Sequence, residues 1–143
     1  MARALDSASM KIAATVRSAV DHHEVVVSTG DATQPLAVPA RSGGGSKVNG
    51  GEFLMLALAT CYCNDLYREA ARLGLAVDGV EVEASATFGG IGLAARDIRY
   101  RATVASPASA EEIEALLRAT DAVAEIHNTV RAGVPVTLDR SPE

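Results

Sequence analysis

The clearest pattern in the chain is an alternation of apolar and polar residues in two segments of its second half. Residues 80–88 carry Val, Ala or Phe at every second position, and residues 98–104 alternate apolar residues with Arg and Thr. A period of two is typical of a strand with one buried face. Three glycines, Gly89, Gly90 and Gly92, lie between the segments. The pattern predicts an antiparallel hairpin in which glutamates of one strand pair with arginines of the other.

A long helix is predicted ahead of this hairpin, over residues 52–73. Asn49 and Glu52 have the spacing of a capping box, and Gly74 is a typical helix end. Residues 53–59 are apolar on every face, which is typical of a helix buried all round. The second half is amphipathic, and these polar side chains are expected to meet water: Asn64, Asp65, Arg68, Glu69 and Arg72. We therefore expect a central helix that begins in a core and ends at the surface.

Shorter elements are predicted on either side of the helix and the hairpin. Residues 24–28 indicate a strand whose partner ends at residues 36–38, whereas residues 10–20 fit a helix or a strand. Further along, Ser109 and Glu112 form a capping box, and Asp121 can cap a short helix that Gly133 ends. Residues 134–138 predict a closing strand, with Pro135 suited to an edge. This order of elements is typical of the α+β class.

Composition narrows the class of protein. A chain of 143 residues, 48% hydrophobic and 22% charged, fits a single globular domain over residues 1–143. The net charge of −5 argues against a general nucleic-acid binder, and the longest apolar run, residues 53–59, is too short to cross a membrane. The two cysteines, Cys61 and Cys63, form neither a disulfide framework nor paired metal ligands. We expect a cytoplasmic protein without a metal or cofactor.

Cys61 is the main candidate for chemistry, because it lies where the apolar half of the predicted helix meets the amphipathic half. Asp65 and Arg68 follow on the same helical face. A guanidinium near the sulfur would favour the nucleophilic thiolate, whereas an unpaired carboxylate would oppose it. The sequence does not decide between these effects. The alternative is that Cys61 is a small core residue, as free cysteines commonly are.

Two further residues have both a structural and a functional interpretation. Cys63 points about 200° around the helix from Cys61, toward an apolar face, which indicates packing and excludes a disulfide within an intact helix. His127 shares an apolar stripe with Val123, Ile126 and Val130. A histidine there is a buried or interface residue whose ring nitrogens are satisfied, unless the fold brings it to Cys61 as a base.

Three segments resemble the OsmC/Ohr family, named for osmotically inducible protein C and organic hydroperoxide resistance. They are residues 45–54 (GSKVNGGEFL), residues 59–66 (ATCYCNDL) and residues 128–136 (NTVRAGVPV), and the paired strands between them extend the match. The resemblance implies an OsmC-like α+β fold with antiparallel sheets around a long buried central helix. It also implies an intertwined homodimer with active sites at the subunit junction.

The family's chemistry is implied by the same resemblance. In active members, a thiolate at the place of Cys61 attacks an organic hydroperoxide, an arginine and a glutamate hold it, and a second cysteine resolves the sulfenic acid. Here residues 124–129 contain no cysteine, and Gly51 stands at the glutamate position, next to Glu52. The family's arginine has no clear counterpart in the N-terminal region, where Arg17 and Arg41 are the candidates.

Two functions follow from this comparison. The first is a stress-response protein in which Cys61 reduces a peroxide and an external thiol replaces the missing cysteine. The second is a non-peroxidase OsmC-like protein that binds a small apolar or amphipathic molecule at the dimer junction. Asp65, His127 and Cys63 are the binding candidates in that case, and the sequence alone leaves open whether the protein is an enzyme.

Overall fold

The computed structural model describes residues 9–140, which divide into two compact units, one up to Gly50 and one from Gly51 onward. The prediction of a single domain stays a prediction. The first unit contains an antiparallel sheet of three strands in the order β1 (Ile12–Ala19), β2 (His22–Thr29) and β3 (Ala32–Leu36). The ambiguous segment at residues 10–20 is therefore a strand, and the predicted strand at residues 24–28 is confirmed.

The predicted long helix is confirmed as α1 (Gly50–Leu73), and all of it except Gly50 belongs to the second unit. Gly74 follows it with a φ of 72°, a left-handed conformation that glycine adopts without a Cβ penalty. No helix of the described residues is long and apolar enough to span a membrane.

Burial along α1 differs from the prediction. Its buried residues lie mostly in the second half, whereas Leu56 in the apolar first half is 56% exposed. The prediction that Asp65 and Glu69 meet water is wrong, because both are only 6% exposed. Burial of these two carboxylates is compensated by arginines one turn further along, at 3.2 Å from Arg68 to Asp65 and 2.8 Å from Arg72 to Glu69.

The predicted hairpin is confirmed as β4 (Gly79–Phe88) and β5 (Ala95–Ala105), paired antiparallel. Glu83 lies opposite Arg101, and their side chains form an ion pair of 2.8 Å, as the charge pattern predicted. The register shifts between Ser85 and Thr87, where two residues of β5 oppose one of β4. This is a β-bulge, which bends the strand locally.

Two helices follow, α2 (Ala110–Val123) and α3 (Glu125–Ala132). The capping box of Ser109 and Glu112 is confirmed, and Gly133 ends α3 with a left-handed φ of 62°. Asp121 does not cap a helix, because it lies in the last turn of α2, and the extended backbone of Ala124 separates the two helices. The break therefore comes three residues later than predicted.

The predicted closing strand at residues 134–138 is wrong for the part of the chain described. These residues have no regular secondary structure and are exposed, with Val136 at 99%. A strand needs a hydrogen-bonded neighbour, and no described strand pairs with this segment.

The core of the second unit lies between α1, α2 and the hairpin. Its buried members are Tyr62, Leu66, Ala70 and Leu116, with apolar side chains of β4 and β5 packed against them. The Tyr62 hydroxyl donates a hydrogen bond of 2.9 Å to the Leu117 carbonyl, which fixes α2 on α1. This core holds the segment of α1 that carries Cys61.

Candidate functional site

Cys61 lies on α1 and is half-buried where this helix faces the start of α3, with acidic side chains beside it. Its thiol donates to Asp65 Oδ2 at 3.6 Å, one helical turn further along α1. Glu125 Oε1 lies 3.9 Å from the sulfur, because the break at Ala124 directs the first residue of α3 toward α1. The backbone N–H of Ile126 also donates to the sulfur. The site therefore joins one thiol, two carboxyl groups and one amide.

Electrostatics around Cys61 oppose the thiolate. Burial raises the pKa of the Cys61 thiol, and the charges of Asp65 and Glu125 raise it further, against a lowering by the Ile126 amide. Burial and Glu125 also raise the pKa of Asp65, which Arg68 partly offsets. The sequence left open whether a guanidinium or a carboxylate has the larger effect on the Cys61 thiol. The carboxylates of Asp65 and Glu125 raise its pKa.

Arg68 acts on the carboxyl groups. Its Nη1 lies 3.2 Å from Asp65 Oδ1 and 4.0 Å from Glu125 Oε2. The guanidinium therefore holds Asp65 in place while the opposite oxygen of that carboxyl group accepts from Cys61. The arginine-held thiolate that the family resemblance implied stays a prediction.

Glu125 was missed by the sequence analysis. It belongs to residues 124–129, the segment in which the family resemblance placed a second cysteine. The sequence therefore showed a glutamate in this segment but not that its side chain lies beside Cys61. Residue spacing does not reveal this contact, because Glu125 reaches the sulfur only as a result of the break between α2 and α3.

The ligand atoms of Cys61, Asp65 and Glu125 lie within 4.8 Å of one another. A thiolate and two carboxylates at this spacing could hold a divalent cation. Acidic groups also lie this close without an ion, so the expectation of a protein without a metal stays a prediction.

His127 lies on the other side of the same junction, in an aromatic cluster. Its ring centroid is 4.5 Å from that of Tyr100 and 5.9 Å from that of Tyr62. The side chain is 4% exposed, and neither ring nitrogen has a hydrogen-bond partner within the described residues. Burial lowers the pKa of His127, as does the charge of Arg131, against a raising by Asp121.

His127 is therefore buried, as the structural interpretation expected, but its ring nitrogens are not satisfied within the described residues. The contacts of the Cys61 sulfur come from Asp65, Glu125 and Ile126, whereas His127 packs on Tyr62, the next position around the helix. The sequence analysis named Asp65, His127 and Cys63 as binding candidates, with Cys61 as the candidate nucleophile. The fold brings Cys61 and Asp65 together and places His127 in a different environment.

A chain of hydrogen bonds next to His127 was also missed. The Tyr100 hydroxyl donates to Asp121 Oδ1, and Arg131 Nη2 donates to the same oxygen at 2.7 Å. These donors, Arg131 first, lower the pKa of Asp121 despite its partial burial. These hydrogen bonds connect β5, α2 and α3 around the aromatic cluster.

The other predicted site residues lie apart from Cys61 or in the first unit. Cys63 is a half-buried free thiol, consistent with a packing role. Glu52 lies in the first turn of α1, nine residues before Cys61, which corresponds to about 13 Å along the axis and the opposite face. Arg17 lies on β1 opposite Glu24, and Arg41 donates to the Gly44 carbonyl at 3.1 Å. Their approach to Cys61 stays a prediction.

The sequence and the fold were compared with known proteins. No curated protein matches the sequence. The fold is similar to an OsmC-like protein from Mycoplasma pneumoniae, with a TM-score of 0.62, 16% identity, and 87% of this chain and 89% of that chain covered. It is also similar to an organic hydroperoxide resistance protein OsmC from Legionella pneumophila, with a TM-score of 0.55, 18% identity and coverage of 85% and 89%.

A third similar structure is the OsmC-like hydroperoxide resistance protein from Jannaschia sp., with a TM-score of 0.52, 16% identity and coverage of 89% and 87%. At these identities the likeness shows the fold. The family model described as OsmC-like protein matches residues 43–139, which include α1, the hairpin, α2 and α3. The chain therefore belongs to the OsmC-like protein family.

Proposed function

We propose that this protein reduces organic hydroperoxides with Cys61 as its one reacting thiol, and that an external thiol regenerates it. The observation that carries the proposal is the contact of 3.6 Å between the Cys61 thiol and Asp65, a carboxyl group also held by Arg68. Two proteins with a similar fold are described as hydroperoxide resistance proteins, which supports this substrate class and a role in the response to oxidative stress.

In the proposed reaction, Asp65 moves the proton. Its carboxylate accepts the proton of the Cys61 thiol, and the sulfur attacks the distal oxygen of the hydroperoxide. The O–O bond breaks, and the leaving alkoxide takes the proton from Asp65. The products are one alcohol and the sulfenic acid of Cys61, which is the first reversible step of thiol oxidation.

An external thiol completes the cycle, because residues 124–129 carry no cysteine. One thiol condenses with the sulfenic acid and releases water, which leaves a mixed disulfide on Cys61. A second thiol displaces Cys61 and leaves as the external disulfide. Cys63 does not form a disulfide with Cys61 in this cycle, since two cysteines separated by one residue on a helix point in different directions.

The raised pKa of Cys61 sets the pH dependence of this reaction. Burial and the neighbouring carboxyl groups disfavour the thiolate, so turnover near neutral pH is slow. We expect the rate to increase with pH above neutrality as more of the Cys61 thiol is ionised.

A homodimer is part of the proposal. The apolar first half of α1 remains partly uncovered in the single chain, with Leu56 at 56% exposure. A second copy would bury this surface and is consistent with the intertwined dimer that the family resemblance implied. A reducing cytoplasm, where Cys61 and Cys63 stay free, remains our expectation for the compartment.

The test is a peroxide assay with cumene hydroperoxide and a panel of donors that includes glutathione and dithiothreitol. We expect donor-dependent turnover that is lost in Cys61→Ser and kept in the matched control Cys63→Ser. Equal turnover in wild type and Cys61→Ser, or no turnover with any donor, would contradict the proposal.

The second candidate function is the binding of a small amphipathic molecule without peroxide chemistry. One observation favours it: His127 is buried with both ring nitrogens unpartnered among the described residues. A dimer without turnover but with a bound small molecule would support this function instead.

A further inference from the structure

A cavity of about 310 Å³ lies between α1, β5 and α3, beside the aromatic cluster. Its apolar wall includes Leu58, Ile98 and Val130, and its polar wall includes Arg96, His127 and Arg131. This volume is at the lower end of the ~300–1,000 Å³ found for small-molecule pockets. An apolar wall with a few converging polar groups is the composition that such pockets share.

The strand that forms one wall of the cavity is distorted at this point. Asp97 and Ile98 are the two residues of β5 that oppose one residue of β4 in the bulge. Asp97 has a φ of 54°, and it is the only described residue other than glycine with a positive φ. Strained backbone of this kind is concentrated at ligand and active sites, and bulges there redirect side chains.

The buried histidine gives an independent reason for a ligand. His127 lines the cavity, is 4% exposed and has two ring nitrogens without a partner in the described part of the chain. Leaving a buried polar group without a hydrogen bond is unfavourable, so such groups usually bond to something. Burial lowers the pKa of His127, so the ring is neutral near pH 7 and has one donor and one acceptor.

The charges at the cavity favour an anionic group. Arg96 and Arg131 both line it, against one carboxyl group, that of Asp97. Asp97 is only loosely paired with Arg96, at 3.7 Å with both side chains more than 60% exposed. An exposed ion pair at this distance contributes little to stability, so the carboxylate of a ligand can replace Asp97 beside the Arg96 guanidinium.

We propose that this cavity binds a small carboxylate with a short apolar chain. The chain lies against Leu58, Ile98 and Val130, the carboxylate interacts with Arg96, and one carboxylate oxygen accepts a hydrogen bond from His127. Arg131 remains on Asp121 and adds positive charge to the site. The inference does not rest on peroxide reduction, because neither Cys61 nor Asp65 lines this cavity.

The experiment is a titration of the full chain with hexanoate, followed by isothermal titration calorimetry and by the imidazole ¹⁵N resonances of His127. Hexan-1-ol is the matched ligand without a charge. We expect saturable binding of hexanoate, a shift of the His127 resonances, and an affinity for hexan-1-ol about tenfold weaker, because charge-assisted hydrogen bonds are stronger.

Three variants locate the site. His127→Phe and Arg96→Gln are each expected to weaken hexanoate binding by about tenfold, since each removes a hydrogen bond to a charged group. Arg99→Gln is the matched control, because this arginine of β5 does not line the cavity. Arg96 is exposed, so its variant tests the site even if His127→Phe does not fold.

Absence of hexanoate binding would overturn the inference, as would unchanged affinity in Arg96→Gln or equal affinity for hexan-1-ol. Cys61→Ser separates the two proposals. It is expected to lose peroxide turnover and to bind hexanoate as wild type does, so either function can fail while the other stands.

Discussion

The two sides of the junction between α1 and α3 are built from adjacent residues and have opposite character. On one side, Cys61 meets Asp65, Glu125 and an amide N–H, so every polar group has a partner. On the other side, His127 lies between Tyr62 and Tyr100 with no partner for its nitrogens within the described residues. Tyr62 is the next residue after Cys61, and His127 is two positions after Glu125.

The difference shows how a helix of 3.6 residues per turn separates neighbours in sequence. One step from Cys61 to Tyr62 turns the side chain about 100° away from the acidic groups and into the aromatic cluster. Our proposals assign proton transfer to the first side and binding of a small molecule to the second. The two sides are therefore expected to respond independently to substitution.

The largest effect is expected from the core that supports both sides. Leu66 is fully buried, and Leu66→Ala should destabilise the protein by about 2–5 kcal/mol because it removes apolar contacts and leaves a cavity. Urea denaturation measures the change. Exposed Leu73, at 40%, gives the control Leu73→Ala, for which we expect a clearly smaller loss. Equal losses for the two variants would place the core elsewhere.

The second effect concerns stability on the His127 side. His127→Phe keeps an aromatic ring in the cluster and removes two unpartnered nitrogens, so we expect a gain of about 1–3 kcal/mol in urea denaturation. Tyr62→Phe is the matched control, since it removes a hydroxyl that donates to the Leu117 carbonyl and should lower stability. A loss of stability in His127→Phe would mean that water already satisfies the ring.

The same variant has a pH dependence with a defined sign. The folded pKa of His127 is lower than the ordinary value of 6.5, so the unfolded chain binds its proton first as the pH falls. Protonation of His127 therefore lowers the stability of the folded protein below about pH 6.5, in addition to the cost of its unpartnered nitrogens at any pH. The gain from His127→Phe should be larger at about pH 5.5 than at about pH 8. A gain independent of pH would contradict the lowered pKa.

Much of this fold was predictable, because its elements depend on local patterns. Periodicity and spacing in the sequence predicted the long helix, the hairpin with its Glu83–Arg101 ion pair, and the capping box at Ser109. Asp65 was expected in water because it belongs to an amphipathic segment, yet Arg68 and α3 cover it. The closing strand was predicted from a short apolar run, and that signal does not specify a partner.

The sequence pointed to Cys61 through its place on the predicted helix and through the family resemblance, and the helical spacing placed Asp65 on the same face. The environment of its sulfur depends on Glu125, which is 64 residues away in sequence. The cavity beside His127 depends on a bulge in β5, which the strand's alternation does not reveal. Contacts of this kind arise from tertiary structure, and neither propensity nor spacing encodes them.

The third effect tests the acidic side. Asp65→Asn, made in a Cys63→Ser background, removes a charge that raises the pKa of Cys61. We expect severalfold faster alkylation of Cys61 by iodoacetamide near neutral pH, because only the thiolate reacts. Peroxide turnover should fall at the same time, since the carboxyl group that moves the proton is gone. Turnover that increases with alkylation would assign Asp65 a purely inhibitory charge.

The smallest effect is expected at Glu125. Its carboxyl group is farther from the sulfur than that of Asp65, 3.9 Å against 3.6 Å, and its side chain is 68% exposed. Solvent screening weakens such a charge, so Glu125→Gln should accelerate alkylation less than Asp65→Asn does, and the difference from wild type should shrink at high salt. Glu111→Gln, at an exposed glutamate in the first turn of α2, controls for the change in net charge. Because Glu125 also raises the pKa of Asp65, its loss makes the Asp65 carboxylate a weaker base toward the Cys61 thiol. Faster alkylation with slightly slower turnover would show that Glu125 acts on Cys61 both directly and through Asp65, whereas no change in either rate would leave Asp65 as the one carboxyl group that controls the thiol.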